Sequence, residues 1–379
     1  MAFGIEKDFG MFTILKGAEC FAPEPIGRKD ILICGDKILK IADPGSLDKL
    51  PEFGTVIDCS GLLAFPGIMD QHIHLIGGGG ENGPASRIEE ISLDEILLAG
   101  VSTVVGVLGF DSYTKSLKSL LAKANTLEAK GLTAYIYTGS YAIPTVTITG
   151  TIAEDLILID KIIGTGEIAI SDYRSSQPTY NEFAQLSAQS NTAGLISGKA
   201  GVVHIHVGDG KAGLRPLIKL LEETDLPKEM FVPTHMNRNE ALFEQAVEYC
   251  ANGGNIDLTA GETKGIPVPK AVKRLREANM DLSRVTISSD ANGSSGTDVT
   301  RISSLFEDLK NAIQNENIPA ADMFRFVTEN VARVLKLYPT KGTLREASDA
   351  DILVLDRAYT IQKLFCRGKL TMDNGRVVR

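Results

Sequence analysis

Clustered positive charge is what this sequence most lacks. Its 379 residues carry 39 Lys and Arg against 48 Asp and Glu, a net charge of −9, and no basic block interrupts the mixture. Nucleic acids and anionic membrane surfaces select for such blocks, so neither is expected as a partner, and a small molecule is. Paired cysteine motifs are missing too. Cys20, Cys34, Cys59, Cys250 and Cys366 are odd in number, scattered, and nowhere spaced as CxxC. This excludes a disulfide framework and a thiolate metal site, and it fits reduced thiols in a cytoplasmic protein. No apolar run approaches the ~20 residues of a membrane helix. The opening MAFGIEKDFG places acidic residues where a secretory signal needs a basic start and an apolar stretch. What remains, 43% hydrophobic and 23% charged residues, is an ordinary globular composition, long for one domain unless that domain is a large α/β barrel.

Histidine is scarce as well, and its placement carries information. The five histidines are His72, His74, His204, His206 and His235. The first two fall in FPGIMDQHIHLIGGGGENGP, residues 65–84. Two residues apart on a strand share a face, so paired imidazoles there can grip one divalent cation. A lone His-x-His pair is weak evidence of a metal site; further ligands at the ends of later strands would strengthen it.

From residue 62 onward, apolar runs of strand length alternate with amphipathic helical segments. The strand candidates are 62–70, 102–109, 133–139, 167–171, 201–207, 229–235, 255–260 and 284–290. Between them lie ISLDEILLAG, SLKSLLAKANTLEAKG, EDLILIDKII, LIKLLEET, EALFEQAVEYCANG and AVKRLREANM, several closed by Gly as helix ends are. Eight βα units point to an α/β fold of the (β/α)8 TIM-barrel type over 62–342, with its site at the C-terminal ends of the strands. Residues 1–61 and 343–379 read as short strands with turn signals, and the two chain ends are expected to form one small β-sandwich domain.

Placed on that barrel, every histidine lies in or just after a strand. Together they make a divalent-metal site the expected reading, with His204 either a hydrogen-bond partner of a ligand or a packed ring. Asp290, in TISSDANGS at the mouth of the eighth strand, can ligate a metal and accept a proton from its water; it can also simply cap the turn at Asn292 and Gly293.

The His-x-His strand, single histidines closing strands 5 and 6, an Asp closing strand 8 and split β ends resemble the amidohydrolase superfamily. Within it, DQHIHLIGGGGENGP, TVVGVLGFDS, TGSYAIPTVTITG, AISDYRS, HVGD, PTHMNRN and SSDANGS are similar to the isoaspartyl dipeptidase family. The resemblance implies hydrolysis of β-aspartyl amide bonds by a metal-bound hydroxide, with two Zn2+ per chain and a homo-oligomeric assembly. It implies His72, His74 and Asp290 at one metal, His206 and His235 at the other, and Asp290 as general base. Tyr141 would polarise the scissile carbonyl, Glu81 on the Gly-rich loop would hold the substrate ammonium, Arg174 and Arg238 its carboxylates, and Ser294 would contact it. For both arginines a surface ion pair is the plain alternative. The sequence departs from the family where a carboxylated lysine bridges the metals: GEIAISDYRS offers Glu167 instead, with Asp172 as fallback. A related activity on cyclic amides or N-acyl amino acids, and a non-catalytic scaffold, are the competing readings.

Overall fold

The computed structural model describes residues 12–50, 54–295 and 298–378. Punctuation by Gly, Pro and Asp cuts the first part of the chain into β1 (Phe12–Phe21), β2 (Pro25–Cys34), β3 (Lys37–Ala42), β4 (Gly54–Asp58) and β5 (Leu63–Pro66). Eight parallel strands follow, each with its helix: β6 (Ile68–Ile73) and α1 (Leu93–Leu98), β7 (Val101–Gly106) and α2 (Leu117–Ala129), β8 (Thr133–Thr138) and α3 (Ile152–Leu158), β9 (Ile162–Ile170) and α4 (Tyr180–Ser197). The second half repeats the unit: β10 (Val202–Val207) and α5 (Arg215–Glu223), β11 (Phe231–Thr234) and α6 (Glu240–Ala251), β12 (Ile256–Thr259) and α7 (Val268–Glu277), β13 (Val285–Ser288) and α8 (Ser303–Asn315). Two short strands, β14 (Ser294–Ser295) and β15 (Asp298–Val299), form a hairpin between β13 and α8. Helices α9 (Ala320–Arg325) and α10 (Glu329–Val334) lead to the closing strands β16 (Ile352–Leu355), β17 (Ile361–Cys366), β18 (Lys369–Asp373) and β19 (Arg376–Val377).

Strands β6 to β11 pair side by side, and β12 pairs with β13. The ring closes through single bonds at the strand ends. Met236 N–H donates to Asp257 O at 3.1 Å, while His74 N–H reaches Ala291 O at 2.9 Å and Asp290 N–H reaches His72 O at 3.1 Å. This is the (β/α)8 barrel expected from the periodicity, and its strands are buried throughout apart from Tyr135 of β8, as a parallel sheet sheathed in helices must be. Helix starts follow local chemistry: Ser92 with Glu95 and Thr179 with Glu182 form reciprocal capping boxes on α1 and α4.

Both chain ends join in one nine-stranded sheet around Leu15, Ile31, Ala64, Ile352 and Phe365. A buried ion cluster ties this sheet to the barrel floor. Lys341 Nζ lies 3.0 Å from Thr133 Oγ1 on β8 and 2.6 Å from Asp351 Oδ2 beside β16.

Two segments differ from the sequence reading. The run 62–70 is two strands: β5 pairs antiparallel with β16 of the end sheet, and the barrel strand starts only at Ile68. The fourth barrel strand starts at Ile162, five residues before Glu167, and α3 ends at Leu158. Hence the IDKII expected to continue a helix leads into a strand, since pairing with Val202 and Val203 of β10 supplies bonds that a local pattern does not reveal.

Candidate active site

Glu167 occupies the point where the barrel histidines converge. It is the sixth residue of β9, and the strand bulges immediately before it: Val203 pairs with Thr165, but Ile205 pairs with Ile168, so β9 spends one extra residue there. Glu167 turns inward and is fully buried. Its Oε1 lies 2.7 Å from His206 Nδ1 and 3.3 Å from His235 Nε2, and its Oε2 lies 3.4 Å from His72 Nε2. His72 Nε2 is also 3.3 Å from Asp290 Oδ1, which stands 3.1 Å from His74 Nε2. The ligand-capable atoms fall into two groups that share one imidazole, His72 with Glu167 and His235, and His72 with His74 and Asp290. His235 and Asp290 both have positive φ, at 63° and 51°, an uncommon conformation for such residues that concentrates at functional sites.

The electrostatics of this cluster call for a cation. Burial alone would favour neutral carboxyls, yet His72 and His206 hold Glu167 well below the usual carboxylate range, and the adjacent His72 and His74 imidazoles do the same for Asp290. Conversely, burial opposes charge on His72, but Glu167 and Asp290 push its pKa well above the ordinary value. His72 Nε2 and Glu167 Oε2 have no hydrogen-bond partner among the described residues. A buried carboxylate and a partly buried one, both facing imidazole nitrogens, suit a divalent metal, which borderline nitrogen and oxygen ligands hold well.

The remaining predicted residues surround His206. Tyr141 OH is 2.9 Å from His206 Nδ1, and burial raises the phenol's pKa well above its ordinary value, so it stays a proton donor. Arg174 forms a bidentate pair with Asp172, Nε to Oδ1 at 3.0 Å and Nη2 to Oδ2 at 2.9 Å, and lies 3.4 Å from Glu81 Oε1. Arg238 Nη1 approaches His206 Nε2 at 3.4 Å. Ser294 belongs to β14, and its side chain lies outside the described residues. Asp172, the fallback bridging carboxylate, accepts from Arg174 and faces His206 Nε2 at 2.8 Å; it enters neither group of ligand atoms.

Sequence reasoning missed the supports. His235 Nδ1 is 2.8 Å from Thr259 Oγ1 at the end of β12, and only the strand-end position of that threonine hinted at it. Lys115, beyond β7, grips the carbonyls of Gly77 and Gly78 and so fastens the glycine loop that carries Glu81. Gly77 and Gly79 are needed there: a Cβ would lie 2.0 Å from Ile88 O and 2.2 Å from Ser86 O, respectively.

A family model described as the amidohydrolase family matches residues 63–371. The chain belongs to the amidohydrolase family. Two crystal structures of the beta-aspartyl dipeptidase of Fervidobacterium islandicum AW-1 are similar to this amidohydrolase over 97% of its length and 99% of theirs, with TM-scores of 0.92 and identities of 40% and 41%. One of them is a complex with beta-Asp-Leu dipeptide. Dihydropyrimidinase from Brevibacillus agri NCHU1002 shares the fold at a TM-score of 0.66 and 16% identity, covering 97% of this chain and 96% of that one. Imidazolonepropionase of Colwellia psychrerythraea is 25% identical over 352 residues, 83% of this chain and 82% of the relative. No helix among the described residues is long and apolar enough to cross a membrane, and all five cysteines are free.

Proposed function

We propose that this amidohydrolase cleaves the β-aspartyl amide bond of isoaspartyl dipeptides in the cytoplasm, with two Zn2+ held by His72, His74, Glu167, His206, His235 and Asp290. The observation that carries the proposal is the meeting of that buried ligand cluster with Arg174, Arg238 and Glu81, within a chain similar along its whole length to a beta-aspartyl dipeptidase. Bound divalent metal would acidify a water and polarise the scissile carbonyl. Asp290, beside His72 and His74, is placed to take the proton from the attacking water and pass it to the leaving amine. Tyr141, protonated and aimed at the cluster, donates a hydrogen bond to the carbonyl oxygen as charge develops on it. Arg174 and Arg238 present planar forks suited to the substrate carboxylates, and Glu81 supplies the countercharge for the free ammonium.

The test is to incubate Zn2+-loaded protein with β-Asp-Leu, α-Asp-Leu, hydantoin and dihydroorotate and to measure released product. Cleavage of β-Asp-Leu alone is expected, with two metals per chain by elemental analysis. Turnover confined to the ring substrates would assign the chain to the cyclic amidases instead.

A further inference from the structure

We infer that His204 is the positioning residue for His72: it accepts the His72 Nδ1 proton and so aims Nε2 at the space between Glu167 and Asp290. This rests on the metal-site reading above.

The two rings meet edge to face, 4.9 Å between centroids, with His72 Nδ1 2.8 Å from His204 Nε2, and both are fully buried. If Nε2 of His72 ligates, its proton sits on Nδ1 and needs an acceptor, and among the described residues His204 is the partner that ring has. The other rings around Glu167 are served in the same way by other chemistry. His235 leans on Thr259 at 2.8 Å and His206 on Asp172 at 2.8 Å. Of these three rings, His72 would be unsupported without His204; His74, beside Asp290, has no partner on Nδ1 among the described residues.

His204 is itself immobilised. Its ring stacks on that of Tyr137, 5.1 Å between centroids and 18° between planes, and Tyr137 is fully buried. Its backbone also shapes the adjacent strand. A Cβ at Gly166 would fall 2.7 Å from His204 O and 2.8 Å from His204 Cβ, so β9 closes on β10 at this point only through a glycine, and the bulge there turns Glu167 inward. One residue therefore stands behind both His72 and Glu167. In the sequence it resembles the spare half of a second His-x-His pair; in the structure it faces the first pair across the barrel.

The experiment uses the full chain, stripped of metal and titrated with Co2+ against a chelator, with the visible spectrum recorded at saturation. His204→Phe keeps a ring against Tyr137 and accepts no hydrogen bond; His204→Gln offers an amide oxygen; His204→Leu stands in for the phenylalanine variant should that chain fail to fold. The expected result is a ~10–100-fold loss of Co2+ affinity and an altered spectrum in the phenylalanine or leucine variant, with most of the affinity and the original spectrum regained in His204→Gln. Wild-type affinity and spectrum in the variant that cannot accept, or an equal loss in His204→Gln, overturn the positioning role while leaving the metal site intact. A wild-type chain that binds no Co2+ overturns the metal site itself, and the role of His204 with it.

Discussion

Glu167 Oε1 and His206 Nδ1 stand 2.7 Å apart on neighbouring strands, deep in the barrel. That contact puts a permanent carboxylate, one that needs no carbon dioxide to form, where the barrel histidines converge. Activity and metal content are therefore expected to be the same in bicarbonate-free and bicarbonate-supplemented buffer. Glu167→Gln removes the charge that faces three imidazoles, and its kcat/KM on β-Asp-Leu should fall at least ~100-fold together with bound metal, as for loss of a ligand. Elemental analysis beside the rate measurement checks both parts.

Asp290→Asn keeps a ligating oxygen but cannot accept a proton. Turnover should drop by ~10²–10⁴-fold while metal content stays near that of the parent chain. An active Asp290→Asn enzyme would remove Asp290 from the proton path.

Arg174 offers a fork that lysine does not have. Arg174→Lys is expected to raise KM for β-Asp-Leu more than it lowers kcat, by roughly tenfold, because binding of a substrate carboxylate is common to ground and transition states. Steady-state kinetics on the dipeptide separate the two constants.

Lys341 is only 4% exposed and neutralises Asp349 and Asp351 where the end sheet meets the barrel. Burial lowers the lysine pKa, but the two aspartates more than offset that and hold it charged. Lys341→Met strands the Asp351 carboxylate, leaves Asp349 with Lys37 alone, and should destabilise the fold by about 3 kcal/mol or more, measured by urea unfolding.

Asp308 accepts the Gly261 N–H at 2.8 Å, and burial pushes its carboxyl pKa up to about 6. The folded chain then binds a proton that the unfolded chain releases nearer pH 4, so this group's contribution to stability falls as pH rises between about 4 and 6 and is least favourable above that window. Asp308→Asn retains the acceptor without the charge. Its melting temperature should exceed that of the parent at pH 8 and converge with it as pH drops to 4.

The sequence by itself determined the eight βα units, the placement of all five histidines in or just after strands and the acidic, block-free composition, because alternation, turn residues and His-x-His spacing are local properties of the chain. Arg174 and Arg238, by contrast, needed the fold to bring them to His206, Arg174 within a largely buried ion pair with Asp172. Only the tertiary structure divided 62–70 between two sheets, since β5 is defined by bonds to β16, nearly three hundred residues away. Only it moved Glu167 from the start of a strand to its inward-facing middle. That shift depends on a bulge that β9 makes against β10, and the bulge needs Gly166 beside His204. The contact of His204 with His72 likewise exists only across the barrel. Strand register and cross-barrel contact are set by which segments pair, and a pairing partner distant in sequence leaves no periodicity in the segment itself.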